Sequence, residues 1–386
     1  MAYQEVTKTS YGSRLGNSLK GILVGLALFV AATVLLWWNE GRAVKTSKML
    51  KAAETECVDV ASVASLDPAL EGKLIHATAV AKTDEILTDP TYGVSVNAIR
   101  LVRDVEYYQW VEHSESVTKD KIGGGQETTT TYTYSKEWVG GPIDSGNFKD
   151  PDYQSSNFVR TTVPDNTVTA EKVEFGAYVL PPAMVGAIPA STSVNLPASL
   201  ANGIDTFVDG STVYYGENPQ TPAVGDVRVS FTEADGGTAS ILGQVVGNTF
   251  EPFKHKNGKS LMVLKMGEHS QESMFESEKA ANKMLLWVLR ILGIILVIAA
   301  LRMTFSILVT ILKVLPPLAK VGELGVNLVT GVVGFVWALL VILIAWVAYR
   351  PFLAVALALV IAALVYFLVS KSKKAEAQAP AAPAAK

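Results

Sequence analysis

Cysteine and histidine are the side chains best suited to nucleophilic or metal chemistry, and both are scarce in this sequence. Cys57 is the only cysteine among 386 residues. A reactive thiol needs a positioned base and an electropositive setting, whereas Glu56 and Asp59 stand close to Cys57 in the sequence. A single cysteine also excludes an intramolecular disulfide bond and a zinc–thiolate cluster. We therefore interpret Cys57 as a structural residue.

The other familiar catalytic patterns are missing as well. Four histidines occur, and their spacing does not form a metal-binding pair: His76, His113, His255 and His269. No serine lies in a Gly-x-Ser-x-Gly motif, and the Gly123-Gly124-Gly125 run lacks the Lys-Ser/Thr of a phosphate-binding loop. The sequence thus predicts no catalytic residue, no cofactor and no metal, and the protein is not expected to be an enzyme.

A short polar motif directly follows the first apolar segment. It consists of Asn39, Glu40, Gly41 and Arg42. In the simplest interpretation, Glu40 and Arg42 form an interfacial ion pair worth at most about 1 kcal/mol. The alternative is that the four residues form a hinge that fixes how the following domain sits on its membrane anchor.

The elements that carry these residues are divided between lipid and water. Hydrophobic residues make up 49% of the chain and charged residues 18%, against about 25% charged residues in ordinary soluble domains. Four apolar stretches are long enough, or nearly so, to cross a bilayer as helices: residues 21–38, 284–301, 325–348 and 352–370. Arg290 lies near one end of the second stretch, where its side chain can reach the interface. A wholly soluble globule, a disordered chain and a disulfide scaffold are excluded.

Between the second and third stretches, residues 303–317 are too short and too charged to cross. Their apolar positions fall on one helical face, with Lys313 on another: Ile307, Leu308, Ile311, Leu312 and Leu315. This pattern predicts an amphipathic helix that lies in the interface and ends at Pro316-Pro317. A re-entrant half-helix is the alternative, and the sequence does not separate the two.

Small and polar residues inside the spans are candidates for helix packing. These are Gly21 and Gly25 in the first span, and Asn327, Gly331 and Gly334 in the third. Glycine allows two helices to approach closely, and a buried amide bonds across helices. Packing within one chain and packing between protomers are equally compatible with this pattern.

Basic residues in the short segments predict the orientation. The region 41–283 carries 21 basic and 32 acidic residues, and the remainder carries 12 basic and 4 acidic residues. Short basic segments stay in the cytoplasm, so both termini are predicted to be cytoplasmic and the acidic domain extracytoplasmic. An acidic domain repels phosphate backbones, so we expect no nucleic-acid partner. Membrane lipids are the expected partners of the basic segments.

The central region has the two-residue periodicity of β-strands. Val105, Tyr107, Gln109 and Val111 share one face of a predicted strand, and residues 128–138 form its predicted partner across a glycine turn at 123–125. Further strands are predicted at 73–81, 226–232, 239–246 and 260–265, and helices after Arg42 and at 270–283. The domain is therefore predicted to be mainly β (α+β).

The predicted organisation is a membrane protein with four transmembrane α-helices, an interfacial amphipathic helix and a large domain inserted between helices 1 and 2. Its segments are a cytoplasmic N-terminus (1–20), helix 1 (21–38), the β-rich extracytoplasmic domain (39–283), helix 2 (284–301), a cytoplasmic-side amphipathic segment (302–324), helix 3 (325–348), a tight turn (349–351), helix 4 (352–370) and a disordered cytoplasmic tail (371–386).

Several runs of this sequence resemble the transmembrane protein 43 family, also called LUMA. They are residues 38–46 (Trp38-Asn39-Glu40-Gly41-Arg42 at their start), 103–112, 132–138, 142–145, 225–231, 267–270, the pair Met274-Phe275, and Tyr349-Arg350-Pro351. The resemblance covers roughly residues 15–370. It departs at Asp150-Pro151, where family members tend to carry a histidine and an Asn-Pro pair.

The resemblance implies four spans, a large lumenal or extracytoplasmic domain and cytoplasmic termini. It also implies a self-associating organiser of membranes that binds other membrane proteins, in the endoplasmic reticulum or inner nuclear membrane of animals. The Ala-Pro-rich tail is more typical of bacteria, which predicts a bacterial homologue in the inner membrane with a periplasmic domain.

Three functions remain open from the sequence. The first is a non-enzymatic scaffold that forms a homo-oligomer and uses its extracytoplasmic domain to organise or sense the envelope. The second is an ion channel or a channel-modulating subunit. The third is a lipid-binding protein, with the amphipathic segment beside smooth spans as its groove.

Overall fold

The computed structural model describes residues 3–314, 316–350 and 359. The chain forms two compact units. The strand-rich unit comprises Met1–Arg14, Met49–Ala280 and Lys313–Pro316. The helical unit comprises Leu15–Lys48, Ala281–Leu312 and Pro317–Lys386.

The described residues contain three long helices and one short one: α1 (Tyr11–Glu56), α2 (Pro182–Val185), α3 (Gln271–Leu312) and α4 (Pro316–Ala348). In α1, α3 and α4 the apolar stretches are long enough to cross a membrane. The Ser10 side chain caps α1 by accepting from the Ser13 amide at 3.2 Å, which satisfies an amide that the helix leaves free. The prediction of the first three spans as apolar helices is confirmed.

The separate amphipathic helix is not confirmed. Residues 303–312 continue α3 without a break, because this stretch contains no proline or glycine to interrupt the helical hydrogen bonds. Pro316 and Pro317 begin α4, a position where proline is tolerated since its missing N–H would have no partner there. Leu315, the predicted fourth span (352–370, Leu359 apart) and the predicted tail lie outside the described residues.

In chain order, the strands of the described residues are β1 (Tyr3–Thr9), β2 (Val58–Val60), β3 (Leu74–Lys82), β4 (Ile86–Thr88), β5 (Ser95–Asn97), β6 (Arg100–Asp120), β7 (Gln126–Val139), β8 (Asn166–Thr169), β9 (Glu174–Phe175), β10 (Tyr178–Val179), β11 (Thr192–Ser193), β12 (Thr206–Asp209), β13 (Thr212–Tyr215), β14 (Val227–Ala234), β15 (Gly237–Val246), β16 (Thr249–Glu251), β17 (Phe253–Lys254), β18 (Ser260–Leu261) and β19 (Val263–Met266). The predicted strands are present, except that the one predicted at 260–265 is divided into β18 and β19, which pair with different strands.

Two larger sheets build the strand-rich unit. One has the order β1-β7-β6-β14-β13-β12, with β11 beside β14 and β8 beside β6. The other has the order β10-β9-β3-β15-β16, with β19 beside β15 and β2 beside β3. Two short ladders, β4–β5 and β17–β18, complete the unit. Buried side chains of both sheets, among them Val105, Val229, Ile75 and Ile241, belong to one hydrophobic core, as expected when two sheets pack face to face.

The β6–β7 hairpin extends beyond this core. Its ladder runs from the Tyr107–Val139 pair to the Asp120–Gln126 pair. The turn uses Gly123 and Gly124, whose φ angles are +91° and +81°, so residues with side chains would be strained there. The predicted glycine turn between two partner strands is confirmed.

No pattern in the sequence predicts the pairing of the N-terminus. β1 adds to β7 in antiparallel register, from Tyr3–Tyr132 to Thr9–Gln126. Asp120, at the end of β6, also lies 3.5 Å from the Lys313 ammonium group. The structure thus brings residues 3–9, 114–132 and 313 together. The orientation predicted from the sequence, in contrast, places residues 114–132 on the opposite side of the membrane from residues 3–9 and 313. The side on which each lies stays a prediction.

A buried ion pair holds the first sheet to its covering loops. The Arg103 Nη1 atom lies 2.7 and 2.8 Å from the two Asp89 carboxylate oxygens, and the side chains are only 3% and 1% exposed. Asp89 also accepts from the amides of Thr91 and Tyr92 and from Asn166. The charges are therefore compensated and hydrogen-bonded, which burial requires.

We predict that Asp89→Ala destabilises the strand-rich unit by about 3–5 kcal/mol, because it leaves the buried Arg103 guanidinium without its counter-charge. The thermal midpoint of the full chain in detergent, followed by far-ultraviolet circular dichroism, should fall by roughly 10 °C. The control is Glu54→Ala, which breaks a half-exposed pair with Lys279 and should cost about 1 kcal/mol or less. Equal midpoints for the two variants would contradict the assignment.

Candidate functional site

The predicted hinge residues lie in the middle of the continuous helix α1, in the helical unit. Asn39 and Glu40 are fully buried at 0% exposure, and Gly41 is buried too. A helix without a break does not bend freely at these positions. The hinge role of residues 39–42 stays a prediction, but the geometry describes a packed junction.

Glu40 pairs with a residue of the second span. The Arg290 Nε atom donates to Glu40 Oε1 at 2.6 Å, and the Arg290 side chain is 14% exposed. That the Arg290 side chain reaches the interface stays a prediction. The structure adds the partner of its guanidinium, which is the buried Glu40 carboxylate. Burial of both groups is tolerated because each compensates the charge of the other.

A second arginine approaches from the residue that follows α4. The Arg350 Nη1 atom lies 3.8 Å from Glu40 Oε2. That oxygen is buried and accepts no hydrogen bond from the described residues. We call Glu40, Arg290 and Arg350 the Glu40 cluster. It carries one negative and two positive formal charges, and it connects α1, α3 and the end of α4.

Tryptophans cover both arginines of the Glu40 cluster. The Arg290 guanidinium lies 4.8 Å from the centre of the Trp287 ring, and the Arg350 guanidinium lies 5.0 Å from that of Trp346. Each ring face attracts the cation above it, more strongly where water is excluded. The rings therefore help to compensate the positive charge that one carboxylate does not neutralise.

Arg42 belongs to a neighbouring amide network and not to the Glu40 cluster. It donates to Asn39 Oδ1 at 3.2–3.3 Å and to Asn282 Oδ1 at 3.0 Å. Asn39 donates to the Leu286 carbonyl at 3.0 Å, and Asn282 to the Ala43 carbonyl at 3.1 Å. The simple interpretation of a Glu40–Arg42 pair is not what the structure shows, because residues two apart on a helix point in different directions.

Gly41 allows the end of α4 to approach α1. A Cβ atom at Gly41 would lie 2.6 Å from Cζ of Tyr349. The Tyr349 ring also contacts that of Trp37, with ring centres 5.9 Å apart. Two runs that are far apart in the sequence, Asn39–Arg42 and Tyr349-Arg350, therefore meet at one place in the helical unit.

The predicted packing residues differ in what surrounds them. A Cβ atom at Gly25 would lie 2.5 Å from Thr304 Oγ1 and 2.8 Å from the Ala300 carbonyl oxygen, and one at Gly334 would lie 2.9 Å from Ile298 Cγ1. These two glycines allow α1 and α4 to approach α3. By contrast, Gly21 would make only ordinary contacts, and Gly331 would meet nothing within 4 Å. The half-buried Asn327 side chain bonds to no described residue.

The residues of the predicted amphipathic helix form no separate surface. Leu308, Ile311 and Leu312 are exposed on α3 and Ile307 is half-buried. Lys313 belongs to the strand-rich unit, where its ammonium group lies near Asp120.

Cys57 has the surroundings of a structural residue. It ends α1, its amide donates to the Ala53 carbonyl at 2.8 Å, and β2 begins at the next residue. Burial, with a smaller contribution from the Asp59 carboxylate, raises the pKa of the Cys57 thiol to about 12. The thiol is therefore protonated at neutral pH and is a poor nucleophile.

His76 is bonded at both ring nitrogens, to Asp59 Oδ1 at 2.7 Å and to the His269 carbonyl at 2.8 Å. The first bond joins β3 to β2, and the second joins β3 to the segment that leads into α3. Across the described residues, no three His, Cys, Asp or Glu side chains are placed to hold a metal ion.

Sequence reasoning missed both partners of Glu40. A signal was present: an arginine inside an apolar span requires a counter-charge at the same depth. Glu40 stands at the corresponding edge of the first span. Arg350 could not have been added in this way, since its approach depends on how the third span packs.

We predict that Glu40→Gln destabilises the helical unit by about 3–5 kcal/mol, because it leaves two arginines side by side without a counter-charge. The measurement is the temperature at which half of the detergent-solubilised protein loses its monodisperse chromatography peak. Glu323→Gln, the same change at an exposed position of α4, should leave it unchanged. Adding Arg290→Gln to Glu40→Gln should cost less than the sum of the single changes. Additive losses would contradict the pairing.

We predict that Gly25→Ala weakens the contact of α1 with α3 by about 1–3 kcal/mol, because the added methyl group overlaps Thr304. The matched control is Gly331→Ala, where the methyl group meets nothing. That change should be neutral or slightly stabilising, since alanine favours helix more than glycine does. The same heating assay compares them, and the close-packing assignment fails when the two variants behave alike.

Comparison with known proteins agrees with the architecture. The family model described as Transmembrane protein 43 matches residues 107–351. Transmembrane protein 43 of Rattus norvegicus is 34% identical over 354 residues, covering 88% of this chain and 86% of the relative. The human protein is 32% identical over 372 residues, covering 93% and 92%. The Drosophila melanogaster homolog is 29% identical over 348 residues, covering 87% and 91%. No solved structure matches. The chain belongs to the transmembrane protein 43 family.

Proposed function

We propose that this protein is a non-enzymatic membrane scaffold that self-associates and presents its strand-rich unit to other proteins of the same membrane. The observation that carries this proposal is the Glu40 cluster. Its carboxylate and two guanidiniums are directed at one another and at tryptophan rings. The charged groups therefore hold helices together, which is what a rigid anchoring platform needs.

The charge distribution supports a membrane-bound role. Between residues 41 and 283 the acidic side chains exceed the basic ones, 32 to 21. The excess of basic residues lies in the segments next to the spans, where anionic lipid attracts each lysine or arginine by about 1 kcal/mol. We therefore propose membrane lipids and other membrane proteins as partners, and no nucleic acid.

We further propose that residues 302–324 and both termini face the cytoplasm, with the bulk of the strand-rich unit on the other side. Short basic segments support this orientation. The tip of the β6–β7 hairpin then shares the side of the N-terminus, because β1 pairs with it. The membrane is the bacterial inner membrane if the chain is bacterial, and the endoplasmic reticulum or inner nuclear membrane if it is eukaryotic.

A groove in the helical unit favours lipid binding as a second candidate function. It has a volume of about 240 Å³ and lies between α3 and α4. Its lining is almost wholly apolar: Phe305, Leu308, Gly325, Val326, Val329 and Thr330. The Thr330 hydroxyl is already used, since it donates to the Val326 carbonyl at 2.6 Å. Such a groove suits an acyl chain better than a polar substrate.

The channel alternative has weaker support. Hydroxyl groups within the spans bond to carbonyls of their own helices, as Thr304 does to Ala300 and Thr310 to Ser306. Ser18 and Thr310 bond to each other at 2.7 Å. Groups satisfied in this way do not offer a polar path to an ion.

Self-association is tested with two differently tagged copies of the full chain. When they are co-expressed and extracted in mild detergent, each tag should co-purify the other copy. Copies that are mixed only after extraction should not exchange within hours, which controls for aggregation. Native mass spectrometry of the same sample gives the number of copies and any retained lipid. A strict monomer that retains one lipid class in stoichiometric amount would replace the scaffold proposal with lipid binding.

A further inference from the structure

Three strands form a small sheet at the end of the β6–β7 hairpin. They are β1, residues 114–120 of β6 and residues 126–132 of β7, and we call them the tip sheet. β7 lies in the centre, since Thr129 pairs with Val6 on one side and with Val117 on the other. β1 and β6 are therefore the two outer strands and run parallel to each other.

The tip sheet has a fixed position within the strand-rich unit. The Asp120 carboxylate lies 2.8 Å from the Arg14 guanidinium and 3.5 Å from the Lys313 ammonium group, so it forms ion pairs with both. Arg14 also donates to the Gly124 carbonyl at 2.8 Å, and the Gly123 amide donates to the Val314 carbonyl at 3.1 Å. Two separate chain segments thus hold the hairpin turn, which is therefore not a free loop.

Both outer edges of the tip sheet are open within the described residues. Along β6, the Tyr108 amide bonds outward to Asp226 and the Trp110 amide to Asn157. Because outward amides recur at every second residue, those of Ser114, Ser116 and Thr118 point the same way, and no described group pairs with them. β1 is likewise the last strand on its side of the sheet.

The faces of the tip sheet offer little to a hydrophobic partner. Hydroxyl pairs cross it from Ser116 to Thr130 at 2.9 Å and from Thr118 to Thr128 at 3.1 Å. Val6 and Val117 are each 53% exposed. A three-stranded sheet without a hydrophobic face has little stability of its own. The open edges are therefore the part of the tip sheet that can bind a partner, since an unpaired strand edge is a template for further strands.

We infer that the tip sheet is the surface through which copies of this chain associate: the outer edge of β1 in one copy pairs with the outer edge of β6 in a second copy. The inference rests on the proposed self-association and names its surface. The two edges have similar length and direction, so each added copy leaves the same two edges for the next. Such head-to-tail contacts end when the ring closes. With three strands per copy, a barrel of about eight or more strands needs at least three copies.

A second copy suits the two edges better than a foreign strand does. Capture of a foreign strand would satisfy one edge and leave the other open. A ring of identical copies satisfies both at once, and closure is the arrangement that removes edges altogether.

Paired cysteines test this inference in the full chain in membranes, with Cys57→Ser as background. Val6→Cys is combined in turn with Glu115→Cys, Val117→Cys and Lys119→Cys, which lie on the same face of the sheet as Val6, so that several registers are sampled. Within one copy, β7 separates these positions by two strand spacings, about 9.5 Å. That is too far for a disulfide bond, so any bond must join two copies.

We expect mild oxidation to convert at least one pair into a ladder of covalent oligomers that extends beyond the dimer and that reductant removes. Each single cysteine should give no ladder. Val6→Cys with Thr129→Cys, which are register partners in one copy, should form an internal bond without a change in size.

A second variant tests the edge without cysteines. Ser116→Pro removes an outward amide and leaves the backbone hydrogen bonds to β7 in place, since proline is tolerated on an edge. It should weaken association at least about tenfold, roughly 1.4 kcal/mol, with an unchanged circular dichroism spectrum.

The outcomes separate the two proposals. If the tagged copies co-purify, but no cysteine pair gives a ladder and Ser116→Pro associates normally, the edge pairing alone is overturned. A chain that is monomeric in both assays overturns the edge pairing together with the scaffold. Cross-links to a different protein only would replace the second copy by a foreign partner and overturn the inference.

Discussion

Backbone and charged groups that leave water must find partners, and most of what this structure shows follows from that constraint. Glu40 is the clearest case, because its carboxylate is fully buried in the helical unit. A lone carboxylate there would cost several kcal/mol. Arg290 and Arg350 supply the compensating charge from two other parts of the chain. The need to neutralise one acid therefore favours the meeting of α1, α3 and the end of α4 at this place.

The same constraint acts in the strand-rich unit by different means. Arg103 and Asp89 are buried against each other, and Asp89 is further held by backbone amides and by Asn166. In the tip sheet the compensation is incomplete, since the outer edges of β1 and β6 have no partner in the described chain. We have proposed that a second copy of the chain supplies the missing strand on each edge.

Local pattern predicted much of the fold and little of the site. Residues 105–110 alternate between buried and half-buried positions because one face of β6 contacts the core, and that alternation is visible in the sequence. The apolar stretches predicted three helices for a similar reason. The separate helix predicted at 303–317 was not confirmed. Its amphipathic pattern shows which side of a helix is apolar, but it does not mark a position where α3 is interrupted. The pairing of β1 with β7 joins residues more than a hundred positions apart, and no local period encodes it.

The candidate site shows the same division. The composition of residues 39–42 marked them as unusual, but their partners, Arg290, Asn282 and Arg350, come from distant segments. Membership of the family does not supply these contacts either, since no solved structure matches. Two of the runs that carry the family resemblance contain these charged residues: Glu40 lies in residues 38–46, and Arg350 lies in residues 349–351. Their meeting gives a physical reason for one sequence to contain both: the acid at the end of the first span requires the arginine that follows the third.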